Sequence, residues 1–176
     1  MLFNELSLKG AILIQLEKLE DERGFFARSF CQNEFKEHHL KTNIAQSNVS
    51  FTKKRGTIRG MHYQISPHEE AKLVSCIRGA IHDVIIDLRP ESPTFKRWLG
   101  IEMKAQNSEM LYVPEGFAHG FQTLTNNAVV FYQMFEFYHP ESSRGVRFDD
   151  AAFDIKRPLE CAVISKKTVS HREFKQ

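Results

Sequence analysis

Cysteine is scarce in this chain. Cys31, Cys76 and Cys161 are three in number and far apart, so neither a disulfide framework nor a paired-cysteine zinc site can be drawn from them, and a reducing compartment fits best. Long apolar runs are missing: none approaches the roughly 20 residues a helix needs to cross a bilayer. The opening "MLFNELSLKG" brings Glu5 ahead of any apolar run and carries no basic segment, unlike a secretory leader. The expectation is a cytoplasmic protein without a membrane partner. An excess of one charge is missing too. The 24 Lys and Arg stand against 22 Asp and Glu, a net charge of +2, which argues against nucleic acid as a partner. There is no G-x-S-x-G elbow and no glycine-rich strand-to-helix loop, which removes the commonest hydrolase and phosphate-cradle readings. Helical periodicity is almost absent; only "QNEFKEHHL" (32–40) reads as a helix.

What the chain has is strands. Its 176 residues, 41% hydrophobic and 26% charged, match a single globular domain over 1–176, with a solvated tail from about residue 165. Strand patterns recur at 11–16, 43–51, 56–65, 72–79, 80–89, 97–103, 109–114, 120–124 and 128–138. Turn chemistry such as "RPESP" (89–93), "PEGFAHG" (114–120) and "TNN" (125–127) separates them. Many short strands with almost no helix predict an all-β sandwich, jelly roll or barrel. The clearest hairpin is "KLVSCIRGAIHDVIIDL". In its second arm Ala80, His82, Val84, Ile86 and Leu88 share one face, and Ile81, Asp83, Ile85 and Asp87 the other. His82 thus lies on an apolar stripe and reads as a structural, hydrogen-bonded core histidine.

Three chemistries compete for the remaining polar residues. A metal site needs three or four protein ligands. "GMHYQ" gives one histidine, His62, where a His-x-His pair would give two. His119 of "PEGFAH", with Glu69 or Glu70, leaves the set incomplete, so no metal is expected. Nucleophilic catalysis has no activated cysteine or serine behind it. Proton transfer remains. A histidine near its usual pKa of about 6.5 is a natural base at neutral pH. A lysine can hold the oxyanion formed when a proton leaves carbon beside a carbonyl, and a tyrosine on another strand can return a proton from the opposite side. His62, Lys72 and Tyr132 supply those types. Tyr132, Met134, Glu136 and Tyr138 are expected on one face of their strand.

The motifs then become specific. "EDERGFFARSF", "QSNVSFTKKRGTIRGMHYQ", "AKLVSC", "DLRPESPTF", "YVPEGFAHGFQTL" and "FYQMFEFYHPES", in this order over most of the chain, resemble the successive signatures of the dTDP-4-dehydrorhamnose 3,5-epimerase family. The resemblance implies a cupin-like double-stranded β-helix, or jelly roll, with one or two short helices. It implies a homodimer that needs no cofactor and inverts C3 and C5 of a nucleotide-linked 4-keto-6-deoxyhexose, as in dTDP-rhamnose and polysaccharide biosynthesis. By the same resemblance His62 is the general base, Tyr132 the opposing acid and Lys72 the enolate's partner. Arg59 and His119 meet the sugar and diphosphate. Arg23, Phe26, Arg28, Gln46, Asn48 and Tyr138 complete the substrate-binding set, some of it reaching across the dimer. Alternatives are a single-carbon epimerase or ketoisomerase on a dTDP- or CDP-sugar, or a non-catalytic sugar-nucleotide binding module.

Three particulars sharpen these expectations. Strict alternation puts Arg59 and His62 on opposite faces, so a shared site requires a bulge near Gly60. Thr168 stands where the family usually has an Asp that orients the histidine, with Asp83 as a possible substitute. Arg28 stands where many members have Glu; because arginine has donors only, it raises cytosine as an alternative base, unless Arg28 pairs with Glu34 or Glu37.

Overall fold

Apolar and polar residues alternate along most of the chain, and in the computed structural model this pattern becomes two sheets laid face to face. Residues 1–171, 173 and 174 are described. In chain order the elements are β1 (Leu2–Glu5), β2 (Ile12–Gln15), β3 (Leu19–Asp21), β4 (Gly24–Phe26), α1 (Gln32–Glu37), β5 (Gln46–Thr52), β6 (Thr57–Gln64), β7 (Lys72–Arg78) and β8 (Ala80–Asp87). They continue with β9 (Trp98–Lys104), a 3₁₀ turn (Ala105–Asn107), β10 (Glu109–Val113), β11 (Phe117–Thr123), β12 (Ala128–Met134), β13 (Ser143–Gly145), β14 (Val163–Ile164) and α2 (Lys166–Val169). One sheet runs β1-β2-β10-β7-β12-β5, the other β13-β6-β11-β8-β9, and β14 adds to β6 in parallel. Neighbours within each sheet are otherwise antiparallel, and β3 with β4 forms a separate ribbon. This is the jelly roll that the family resemblance implies, one of the three all-β architectures the strand pattern left open. No helix among the described residues is long and apolar enough to cross a membrane.

The core lies between the sheets. Val74, Cys76, Leu111, Val113 and Val130 from the first sheet meet Ile81, Ile85, Phe117 and Phe121 from the second. The inward face of β8 is therefore that of Ile81, Asp83, Ile85 and Asp87. His82, on the opposite face, is not in this core. It lies on the outside of its sheet beside Phe148, Ile155 and Arg157 of the C-terminal segment. Its Nε2 is buried with no hydrogen-bond partner among the described residues. The ring fills space left by Gly100, where a Cβ would stand 2.5 Å from that nitrogen. The expectation of a core histidine is corrected in its place and not in its hydrogen bonding: the fold wraps chain over the outer face and seats His82 there, with a hydrogen bond to the Lys156 backbone.

The helix is shorter than its pattern. It ends at Glu37, because His39 takes a left-handed φ of 58° and the Leu40 amide returns to the Phe35 carbonyl at 2.9 Å. The last long strand also stops early, at Met134 rather than residue 138, so Glu136 and Tyr138 leave the face that Tyr132 and Met134 share.

Candidate active site

The site is built where the two sheets face each other above the apolar core. On β7 and β12, alternation that buries Val74, Cys76 and Val130 turns Lys72 and Tyr132 the same way. On the opposing sheet, His62 of β6 and His119 of β11 are direct cross-strand partners. Ser50, Arg59, Gly60, His62, Lys72, His119, Gly120, Phe121 and Tyr132 line one cavity of about 260 Å³.

Arg59 and His62 reach this cavity together because β6 is irregular between them. His62 pairs with His119 and Arg59 with Phe121, so Gly60 and Met61 together oppose Gly120 alone. That is the expected bulge, with the extra residue reversing the alternation. Gly60 is required there: its φ is +108°, and a Cβ would lie 2.4 Å from the Gly120 Cα. Arg59 is then held on the edge strand β5, its Nε donating to Thr52 Oγ1 at 2.9 Å.

Each polar group in the cavity has a distinct environment. Lys72 is almost fully buried; its Nζ pairs with Glu70 at 2.8 Å and donates to the His62 carbonyl at 3.2 Å. His119 Nε2 lies 3.0 Å from both carboxylate oxygens of the fully buried Asp83. Asp83 thus serves His119, not His62. Burial, then the nearby Lys72 ammonium, brings the His62 pKa down to about 4, well below the value near 6.5 expected from sequence, and keeps the imidazole neutral at physiological pH. Burial pushes the Tyr132 phenol up, with Arg59 opposing it, so Tyr132 holds its proton. A neutral base and a protonated acid therefore face each other from opposite sheets, with a cation beside them. Such a site can take a proton from carbon, stabilise the resulting oxyanion and return a proton from the other side.

Of the residues singled out from sequence and resemblance, His62, Lys72, Tyr132, Arg59 and His119 line this one cavity. Asn48, opposite Tyr132 on the inward-facing side of β5, and Gln46, whose Oε1 accepts from the Tyr138 amide at 2.6 Å, lie along the same face. Tyr138 itself is half exposed and outside the cavity. So are Arg23, Phe26 and Arg28: Arg23 pairs with Asp21 in the β3–β4 turn, and Arg28 is held by Glu34 at 3.1 Å on the surface. Sequence reasoning missed Ser50, Gly120 and Phe121 as lining residues, and it offered Glu70 only as a metal ligand; its burial beside Lys72 has no period-based signal. Among the described residues His68, Glu136 and His139 cluster closely enough to hold an ion. The two rings, however, are stacked in parallel at 3.4 Å, which keeps their in-plane lone pairs from converging.

A family model described as dTDP-4-dehydrorhamnose 3,5-epimerase matches residues 5–176. The chain belongs to that family. The Methanothermobacter thermautotrophicus dTDP-4-dehydrorhamnose 3,5-epimerase is 41% identical over 168 residues, covering 94% of this chain and 90% of the relative. The crystal structure of the Elizabethkingia anophelis enzyme superposes with a TM-score of 0.95 at 37% identity, over 99% of this chain and 96% of that one. That of the Bacillus anthracis enzyme, with TDP and PPi bound, gives 0.93 at 37% identity over 97% of each chain.

Proposed function

We propose that this protein inverts C3 and C5 of dTDP-4-dehydro-6-deoxyglucose, giving dTDP-4-dehydrorhamnose, without a metal. The observation that carries the reading is the placement of His62 and Tyr132 on opposing sheets across one cavity that Lys72 also lines. His62 takes the proton from the carbon beside the C4 ketone, and the electron pair moves to O4 as an enolate held by the Lys72 ammonium. Tyr132 donates its proton to the opposite face of that carbon as the ketone reforms. The imidazolium and the tyrosinate then exchange protons with solvent, and the second carbon follows in the same way. Arg59 and His119 contact the diphosphate and sugar, and Gln46 and Asn48 extend the surface toward the nucleotide. With Arg28 taken up by Glu34, little favours cytosine over thymine.

Arg23 and Phe26 act from a second copy of the chain in this reading. The β3–β4 ribbon holds them outside the lining of their own cavity and exposes Leu19, Phe25 and Phe26, while the outer face of edge strand β5 exposes Val49 and Phe51. Apolar surface of that extent marks a contact face, and a homodimer covers it.

Proton NMR of the dTDP-4-keto sugar in D₂O tests the activity. Solvent deuterium is expected at both C3 and C5 with wild-type protein, and at neither with His62→Ala. Exchange at one carbon replaces the reading with a single-carbon epimerase. Binding without exchange replaces it with a non-catalytic module.

A further inference from the structure

The buried side of His62 is unfinished. Its Nε2 is enclosed and has no hydrogen-bond partner among the described residues, and neither has the Nε2 of His171. The two rings are in edge-to-face contact, with centroids 5.7 Å apart and planes at 78°. His171 is brought there by the C-terminal segment. β14 pairs in parallel with Thr57–Ile58 at the start of β6, the Ser165 hydroxyl caps α2, and the chain leaves the helix directly over His62. Gly145, the cross-strand partner of His62 on β13, makes room: a Cβ at that position would lie 2.1 Å from the His171 Nε2. Thr168 stands where the family resemblance placed an orienting carboxylate. It does not serve His62, because it is buried with its hydroxyl 2.8 Å from that of Ser165.

We infer that His171 is the positioning residue of His62, its Nε2 and that of His62 sharing one hydrogen bond in which His171 accepts when His62 becomes the imidazolium. Two enclosed nitrogens left without partners are costly, and one hydrogen bond between them would satisfy both. The bond fixes the tautomer of His62 and leaves Nδ1 as the nitrogen that meets the substrate. A neutral imidazole can do this only while unprotonated. Burial lowers the His171 pKa and the neighbouring Lys167 lowers it further, so the accepting form prevails. Lys72, Lys167 and His119 also face His62, and all three are donors when charged. Among these groups the neutral His171 ring is the acceptor left for the enclosed nitrogen, since His119 is committed to Asp83.

The inference rests on the proposed base role of His62, and two readouts separate the failure of one from that of the other. His171→Phe keeps the ring's packing and removes the acceptor, whereas His171→Gln returns an amide oxygen. His171→Phe is expected to lower kcat by about 10–100-fold, less than loss of a full carboxylate partner, with KM changed less than about twofold. His171→Gln should recover most of the loss. Wild-type kcat in His171→Phe, or equal losses in the two variants, would overturn the inference. The second readout is the nitrogen-15 spectrum of the His62 imidazole. A single tautomer in the wild type that becomes a mixture in His171→Phe supports the bond, and an unchanged spectrum overturns it, even if the wild-type protein proves to catalyse nothing.

Discussion

Substituting alanine for Gly60 tests whether the bulge in β6 is what assembles the site. Two costs follow from the structure. The residue has a φ of +108°, where an L side chain is strained by about 1–3 kcal/mol. Its Cβ would also meet backbone on the paired strand, the Gly120 Cα at 2.4 Å and the His119 carbonyl oxygen at 2.6 Å. Backbone cannot rotate away as a side chain can, so β6 and β11 must separate, an overpacking cost of about 1–3 kcal/mol. The sum, about 2–6 kcal/mol, is a large part of the roughly 5–15 kcal/mol that holds a domain folded. At about 2–4 °C per kcal/mol for a chain of this size, Tm should fall by about 5–20 °C. Gly24→Ala separates the two costs. Gly24 has a comparable φ of +123°, but an added methyl there would meet nothing within 4 Å, so it should show the strain alone. Strand separation also moves His62 relative to Arg59, and a misplacement of about 1 Å costs on the order of 10²-fold in rate. The assays are thermal denaturation and deuterium incorporation into the 4-keto sugar, measured below the variant's Tm. A Gly60→Ala protein that melts with Gly24→Ala and exchanges at the wild-type rate would refute the argument.

Two further outcomes follow. Because the folded His62 pKa of about 4 lies below its ordinary 6.5, kcat/KM should stay level from pH 7 down to about 5 and fall tenfold per unit below about 4. The stability contributed by this group is fully present above pH 6.5 and is lost as pH falls toward 4, by up to about 3 kcal/mol; denaturant titrations at pH 7 and pH 4.5 check it, and an activity midpoint near 6.5 contradicts it. In the proposed homodimer, replacing Phe25 and Phe26 by Ser should shift sedimentation from dimer toward monomer and weaken nucleotide-sugar binding together, whereas a wild-type profile counts against the ribbon as the contact face.

The strands that carry the site were legible because burial on one face writes a period of two into the sequence, and Lys72, Tyr132, His62 and His119 all lie on such strands. The bulge was legible for a different reason: two residues wanted in one cavity stood three apart with a glycine between them. What escaped were features set by tertiary context. β13 and β14 are too short for a period to register, β1 is exposed along most of its length, and the β3–β4 ribbon is exposed on both faces, so no alternation marks them. His82 shows the limit of face assignment. The period placed it with Val84 and Ile86 correctly but could not say that their face is the outer one, covered by a returning chain. Glu70 and His171 reach Lys72 and His62 from irregular segments, where spacing carries no geometric information.

In the proposed reaction a base of pKa about 4 looks too weak to take a proton from carbon, and the resolution lies in what weakens it. Burial lowers the value first and the Lys72 ammonium next, and in the proposed reaction that ammonium is also the group that meets the enolate. As the proton leaves carbon, negative charge builds on the substrate oxygen beside Lys72. The field that opposed charging the imidazole is then neutralised, so His62 grows more basic as the transfer proceeds. Glu70, 2.8 Å from the lysine, supplies a standing counter-charge that keeps Lys72 tolerable in its buried position before substrate arrives. In this proposed reaction the resting site holds His62 neutral, and the reaction's own charge makes it strong enough. Such coupling stabilises the transition state without stabilising the bound ground state equally, which is what accelerates the step.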